Sequence, residues 1–300
     1  MAQISSGRGG AAGGGQTAPL RGRGQARWLD GDRLHLHEGP IDLLLWAEGA
    51  GAAASYRRGA GRFQGLLAEL CAELPALRAG APVPVHGAVA RAMAEAVAPH
   101  RPAFITPMAA VAGAVADAVL AAMVAGGGVM RAYVNNGGDI ALHLAPGQSL
   151  VAAIAARAGL PDRITLRAGD GLGGIATSGW RGRSQSLGIA DAATILAPNA
   201  AGADAAATMI ANAVDLPGHP AIARRPARAV KADSDLGDRL VTVGVGPLTR
   251  ADVARALDRG AAHAEALVAR GLIAGAAIFL QDDLRLVGAL TAETALDRPA

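Results

Sequence analysis

The sequence predicts an α+β protein organised around antiparallel sheet, and three observations carry that reading. Residues 129–134, 140–144, 150–155 and 164–168 are short β-prone runs separated by Gly, Pro and Asp turns at hairpin spacing. Connections that short can only join antiparallel neighbours. Long apolar helical patterns at 104–124 and 201–214 flank this block, and a strand, a helix and two more strands follow it. At 300 residues with 51% apolar side chains, the chain is long enough to bury a substantial core.

Residues 1–27 are mostly Gly, Ala, Ser and Arg with almost no bulky apolar side chain, so they read as a disordered leader; a basic arm on an acidic partner is the alternative. Runs at 34–37 and 41–46 flank Glu38-Gly39-Pro40 and read as a hairpin. His35 and His37 alternate along one face of it, either as a metal pair or as ordinary solvent-facing side chains. Residues 62–78 and 86–98 show helical spacing, separated by a link at 82–84. Cys71 falls in the apolar stripe of the first and reads as a structural thiol. The long helix at 104–124 opens with Thr106-Pro107, an N-cap and N1 pair. Asp117 stands alone in this apolar run, either as a cap or with a designated partner at a site.

Two glycine-rich breaks follow. The first, Asn135-Asn136-Gly137-Gly138-Asp139, makes a primed hairpin turn or displays N–H groups and side chains to a ligand. The second, Thr177-Ser178-Gly179, ends another apolar run. Beyond it Arg181, Arg183, Ser184, Gln185 and Ser186 form a loop of donors suited to phosphate oxygens. Residues 192–197 read as a strand, and the helix at 201–214 places Asp204 and Thr208 one turn apart on one face. That pair could complete an oxygen-ligand site for Mg²⁺, or Asp204 could simply sit comfortably near a helix N-terminus. Residues 217–238 are a Pro- and Arg-rich connection. Strand 240–245, helix 249–269 and strands 276–281 and 284–289, turning at Asp282-Asp283, complete the chain.

Composition excludes several classes of function. One cysteine rules out an internal disulfide and a thiolate zinc cluster. A net charge of +3, only one lysine among 28 basic residues, and 3% aromatics give neither a focused field nor stacking platforms for nucleic acid. Gly113 and Asp117 interrupt the apolar stretch 108–124, and the N-terminus lacks an apolar signal core, so a cytoplasmic chain without a membrane partner is expected. No nucleophile elbow, P-loop or Rossmann fingerprint is present.

Four stretches, in order, resemble the flavin transferases called ApbE. Tyr133 to Ile140 resembles that family's "VNxGGDI". Residues 109–117 resemble its Gly-rich helix ending in Asp. Residues 176–181 resemble "TSGxYR", and Ala203 to Thr208 resembles the metal-binding "ADxxxT". "TPMAAVAGAVAD" at 106–117 and "SLGxADAxT" at 186–194 resemble the UPF0280 branch more closely. The resemblance implies a single ApbE-like domain over 28–300, similar to the tunnelling fold, with antiparallel sheets and helices packed on one face. It implies binding of FAD and Mg²⁺ and either transfer of FMN to a threonine of an acceptor protein or hydrolysis of FAD. Asp204 and Thr208 would hold the metal. Asp117, Asn135, Gly137, Gly138, Asp139, Thr177, Ser178, Gly179 and Arg181 would surround the nucleotide. The chain departs from the family at Ala112, where the transferases have lysine, and at residues 185–191, where they have "HIxDPxTG" with its base histidine. FAD binding is therefore implied more directly than flavin transfer. A flavin- or nucleotide-binding protein without catalysis, or an enzyme acting on another phosphorylated or pterin-like cofactor, are the alternatives; self-association is open.

Overall fold

The structure, a computed structural model, describes residues 3–4, 17–19, 24–153 and 163–290. The first half of the chain comprises strands β1 (Gln3–Ile4), β2 (Thr17–Pro19), β3 (Gln25–Leu29), β4 (Arg33–Glu38) and β5 (Ile41–Glu48), then helices α1 (Ala52–Phe63), α2 (Leu66–Ala72), α3 (Leu74–Leu77), α4 (Ala88–Val97) and α5 (Val111–Val124). There follow β6 (Arg131–Asn136), β7 (Asp139–Leu144), β8 (Ser149–Ala153), β9 (Arg163–Arg167), β10 (Gly174–Ser178) and β11 (Ala192–Ala197). The remainder is α6 (Ala200–Ala213), β12 (Ile222–Pro226), α7 (Ala227–Val230), β13 (Leu240–Val245), α8 (Arg250–Ala269), β14 (Gly275–Leu280) and β15 (Asp283–Gly288).

Among the described residues a ten-stranded sheet runs through both halves in the order β15-β14-β11-β10-β7-β6-β5-β4-β3-β2, every neighbouring pair antiparallel. Side-chain alternation divides its two faces. Leu43, Leu45, Val134 and Ala141 point to a core shared with α1, α4 and α5, while Ala176, Ile195 and Ile278 point to one built on α6 and α8. Trp46, Tyr133, Ile140, Ile175 and Leu196 point the other way, onto Leu150, Ile164 and Leu166 of a small sheet ordered β1-β8-β9. The result is an α+β fold with the helices on one face of the large sheet. A further two-stranded ribbon joins β12 and β13.

Several boundaries differ from expectation for local reasons. The expected leader overlaps strands, because Gln25 to Arg27 pair with His35 to His37 and Thr17 to Pro19 pair with residues 25–27. The rest of the leader, and residues 154–155 of the expected strand 150–155, lie outside the described residues. The expected helix 62–78 is broken at Gly65, whose φ of +79 suits glycine. In the connection 217–238, β12 and α7 form through tertiary pairing rather than periodicity. Thr106 precedes a 3-10 turn, Pro107–Ala110, but its hydroxyl donates to Asp235 instead of capping that turn. Pro107–Val124 is long and apolar enough, by length and composition, to cross a membrane, and half of it is buried within this fold.

Candidate functional site

Helices α5 and α6 cross where Gly113 faces the start of α6. A Cβ at Gly113 would stand 2.1 Å from Ala200 O, so only glycine permits this approach. Each helix then offers a carboxylate to the other. Asp117 on α5 accepts the N–H groups of Ala200 (3.0 Å) and Ala201 (2.9 Å), and Asp204 on α6 accepts that of Gly113 (3.1 Å). Burial raises the Asp117 carboxyl, with the two N–H groups opposing.

The neighbouring hairpin delivers a third carboxylate. Asn136 pairs with Asp139, which leaves Gly137-Gly138 as a two-residue turn with φ of +66 and +120. Asn135 Oδ1 accepts the Gly138 N–H at 2.8 Å and fixes that turn. Asp139 follows it, with Oδ1 3.2 Å from the Thr177 N–H. Thr177 is anchored in turn by its hydroxyl, 2.9 Å from that of buried Thr194. Burial pushes the Asp139 carboxyl up to about 7, against the opposing pull of the Thr177 N–H and the Arg183 charge. Asp204 is driven well above the ordinary carboxylate range, first by burial and then by the charge of Asp139.

Asp139 and Asp204 share a cleft of about 250 Å³. Thr208 and Asn212 extend the Asp204 face of α6 along it. Cations border it at Arg78, Arg183 and Lys231, and Phe104, Ile105, Met108, Leu187 and Leu236 supply apolar wall. The Arg239 guanidinium lies 3.3 Å from the centroid of the Phe104 ring and braces that wall. Arg183 Nη2 would be 1.9 Å from a Cβ at Gly137, so the first glycine-rich break makes room for this arginine.

Of the side chains expected from the sequence, Asp139, Asp204 and Thr208 line the cleft together. Asp117, Asn135, Gly137, Gly138 and Thr177 lie behind it as supports, through the contacts given above. Arg181 differs from expectation: its Nε is 2.6 Å from Asp191 Oδ1 and its guanidinium covers the Trp180 ring, so Asp191 holds it off the cleft lining. Gly179 is packed against the Asp191 backbone, and Ser178 is half-buried at the end of β10; neither lines the cleft. His35 and His37 do not line it either; His35 Nε2 pairs with Asp42 at 2.8 Å. Sequence reasoning missed Asn212, although Asp204, Thr208 and Asn212 recur every four residues on one helix face. It also missed Arg78, Phe104 and the segment from Lys231 to Leu236, which no local pattern marks.

These features define an α+β protein whose cleft combines paired buried carboxylates, a helix-borne hydroxyl and exposed cations. Among curated proteins, the chain is similar to UPF0280 proteins of Methanothrix thermoacetophila (42% identity over 113 residues, 37% of this chain and 46% of that one), Methanococcoides burtonii (37% over 127 residues, 39% and 49%) and Archaeoglobus fulgidus (38% over 112 residues, 37% and 45%). The chain spans about half the length of the curated relatives it matches. The family model described as AbpE bacteria matches residues 26–286, and the chain belongs to that ApbE-like family. The family is associated with flavin and metal use.

Proposed function

We propose that this protein is a Mg²⁺-dependent enzyme acting on the pyrophosphate of FAD, as an FMN transferase or an FAD hydrolase. The observation that carries the reading is the pairing of Asp139 and Asp204 beside Thr208 in a cleft bordered by Arg183. Two buried carboxylates, one of which (Asp139) raises the proton affinity of the other (Asp204), fit a divalent cation, and every side-chain donor here is a hard oxygen. Among the described residues no group of three His, Cys, Asp or Glu side chains could hold a metal alone. Asp139, Asp204 and Thr208 would therefore share the ion with phosphate oxygens, as Mg²⁺ sites commonly do. Bound there, Mg²⁺ would neutralise the diphosphate and stabilise charge developing on its oxygens.

The chain's own groups account for the remaining requirements. Arg183 faces the phosphates as a cation, and the wall from Phe104 to Met108 takes a ring or sugar of the nucleotide. A volume of about 250 Å³ is below the range for fully enclosing even a drug-sized ligand, so part of a dinucleotide would project from the cleft. The proposed setting is the cytoplasm, with a threonine-bearing acceptor protein as partner if the reaction is transfer.

A second reading, a flavin-nucleotide carrier without turnover, is favoured by one specific observation: among the described residues no histidine lines the cleft to serve as an imidazole base. Incubation with FAD, with and without Mg²⁺, followed by chromatography of the nucleotides separates the two. AMP and FMN released only with metal support the enzyme. Tight binding without turnover supports the carrier, and absence of FAD binding overturns both.

A further inference from the structure

Residues 231–236 look like an undistinguished connection in the sequence, yet they build one wall of the cleft. Their backbone is closed on itself. The Lys231 N–H donates to Ala227 O (2.9 Å), the Ser234 N–H to Lys231 O (3.0 Å), and the Arg228 N–H to Gly237 O (2.9 Å). Side chains then tie this strap to three separate parts of the fold. Arg78 Nη2 donates to Asp233 Oδ2 (3.1 Å), the Thr106 hydroxyl to Asp235, and the Ser234 hydroxyl to Gln185, whose amide returns to Ala227 O (2.9 Å).

Asp233, Ser234 and Asp235 are thus occupied in holding the strap. Lys231 is different. It is the sole lysine in the chain. Its side chain is 67% exposed and its ammonium is 4.0 Å from Asp233 Oδ1, the outer limit of an ion pair. Arg183, from another loop on the same cleft, is also exposed and has no hydrogen-bond or ion-pair partner among the described residues; it acts on Asp139 through space.

We propose that Lys231, presented by this strap, binds a phosphate group of the cleft's ligand together with Arg183, so that a diphosphate is held between these cations and the Asp139–Asp204 pair. The assignment rests on reading the cleft as a diphosphate site and adds the residue that selects for the charged part of the ligand. The physical case is preorganisation. The strap is already fixed by its neighbours, so only the lysine side chain loses freedom on binding. A compact ammonium on a flexible stem can follow phosphate oxygens without needing the fixed fork of an arginine.

The test is titration of the full chain, wild type, Lys231→Met and Lys231→Arg, with inorganic pyrophosphate plus Mg²⁺, FAD plus Mg²⁺, and riboflavin as a phosphate-free control. Lys231→Met is expected to weaken pyrophosphate and FAD by about tenfold or more and to flatten their salt dependence, with riboflavin unaffected. Lys231→Arg should recover most of the pyrophosphate affinity. Equal pyrophosphate affinity in wild type and Lys231→Met overturns the assignment, as does failure of wild type to bind pyrophosphate. Weaker pyrophosphate binding in Lys231→Met, with no FAD binding in any form, keeps the lysine assignment and sinks the FAD reading. Full FAD turnover in Lys231→Met does the reverse. Because the side chain is exposed, an unchanged thermal midpoint should accompany each variant.

Discussion

Two pairs of titratable side chains are withdrawn from water in this fold, with opposite consequences. Asp139 and Asp204 meet at the cleft. His100, after α4, and His263, on α8, meet where the N-terminal helices touch the C-terminal one. His100 is 8% exposed, and among the described residues neither His100 Nδ1 nor His263 Nε2 finds a hydrogen-bond partner. Burial, reinforced by the charges of His263 and Arg270, holds His100 down at about 4, and His263 is lowered as well. Both pairs are therefore pushed toward their neutral forms. The aspartates, however, accept backbone N–H groups and open onto a cleft with cations at its border, whereas the histidines do not line that cleft and have the Arg270 charge nearby. Burial by itself makes a perturbed group; an open side and a partner of the right charge make a site.

The sharpest way to break this comparison is Asp204→Asn. It should lower metal-dependent turnover of FAD by at least about a hundredfold, equivalent to ~3 kcal/mol, with the fold retained; an unchanged rate would remove Asp204 from the site. The histidine pair should announce itself only as stability. His100 titrates lower in the folded chain than in the unfolded one, so between pH 6.5 and about 4 the unfolded state binds more protons. Stability is complete above that window and is lost as the pH falls through it, by about 3 kcal/mol for His100. Urea unfolding at pH 7 and 4.5 should show this loss in wild type and much less of it in His100→Phe. Next in size, Asp117→Ala exposes two unsatisfied N–H groups at the start of α6 and should cost about 2 kcal/mol in urea unfolding at neutral pH. Smallest, Mg²⁺ must displace the Asp139 proton. Its affinity should rise by about fivefold, or ~1 kcal/mol, from pH 6 to 7 and level off above; a flat calorimetric profile would separate Asp139 from the metal.

Local pattern made much of this fold legible. The hairpin of β4 and β5 and the strands β11 and β13 follow from alternation bounded by turn residues. Helix α1 was not legible, because Tyr56 and Phe63 are the only large side chains on its buried face, with Ser55 and Gly59 completing it. At the site, Asp204 and Thr208 were readable as an i, i+4 pair, and Asp139 as the end of a glycine turn. Their convergence was not, since sheet pairing and the crossing at Gly113 bring together residues 65 positions apart. The strap carrying Lys231 was the least legible element: its shape depends on Arg78, Thr106 and Gln185, each distant in sequence.

The exchange of carboxylates between α5 and α6 gives the site a mechanical aspect. Asp204 is at once a candidate ligand and a stitch in the seam between two helices, fastened to Gly113 just as Asp117 is fastened to Ala200 and Ala201. A cation drawing on Asp204 therefore pulls on that seam. Occupancy of the cleft and the tightness of the α5–α6 crossing become one variable, so loading the site should be felt in how firmly the two halves of the large sheet are clamped from above.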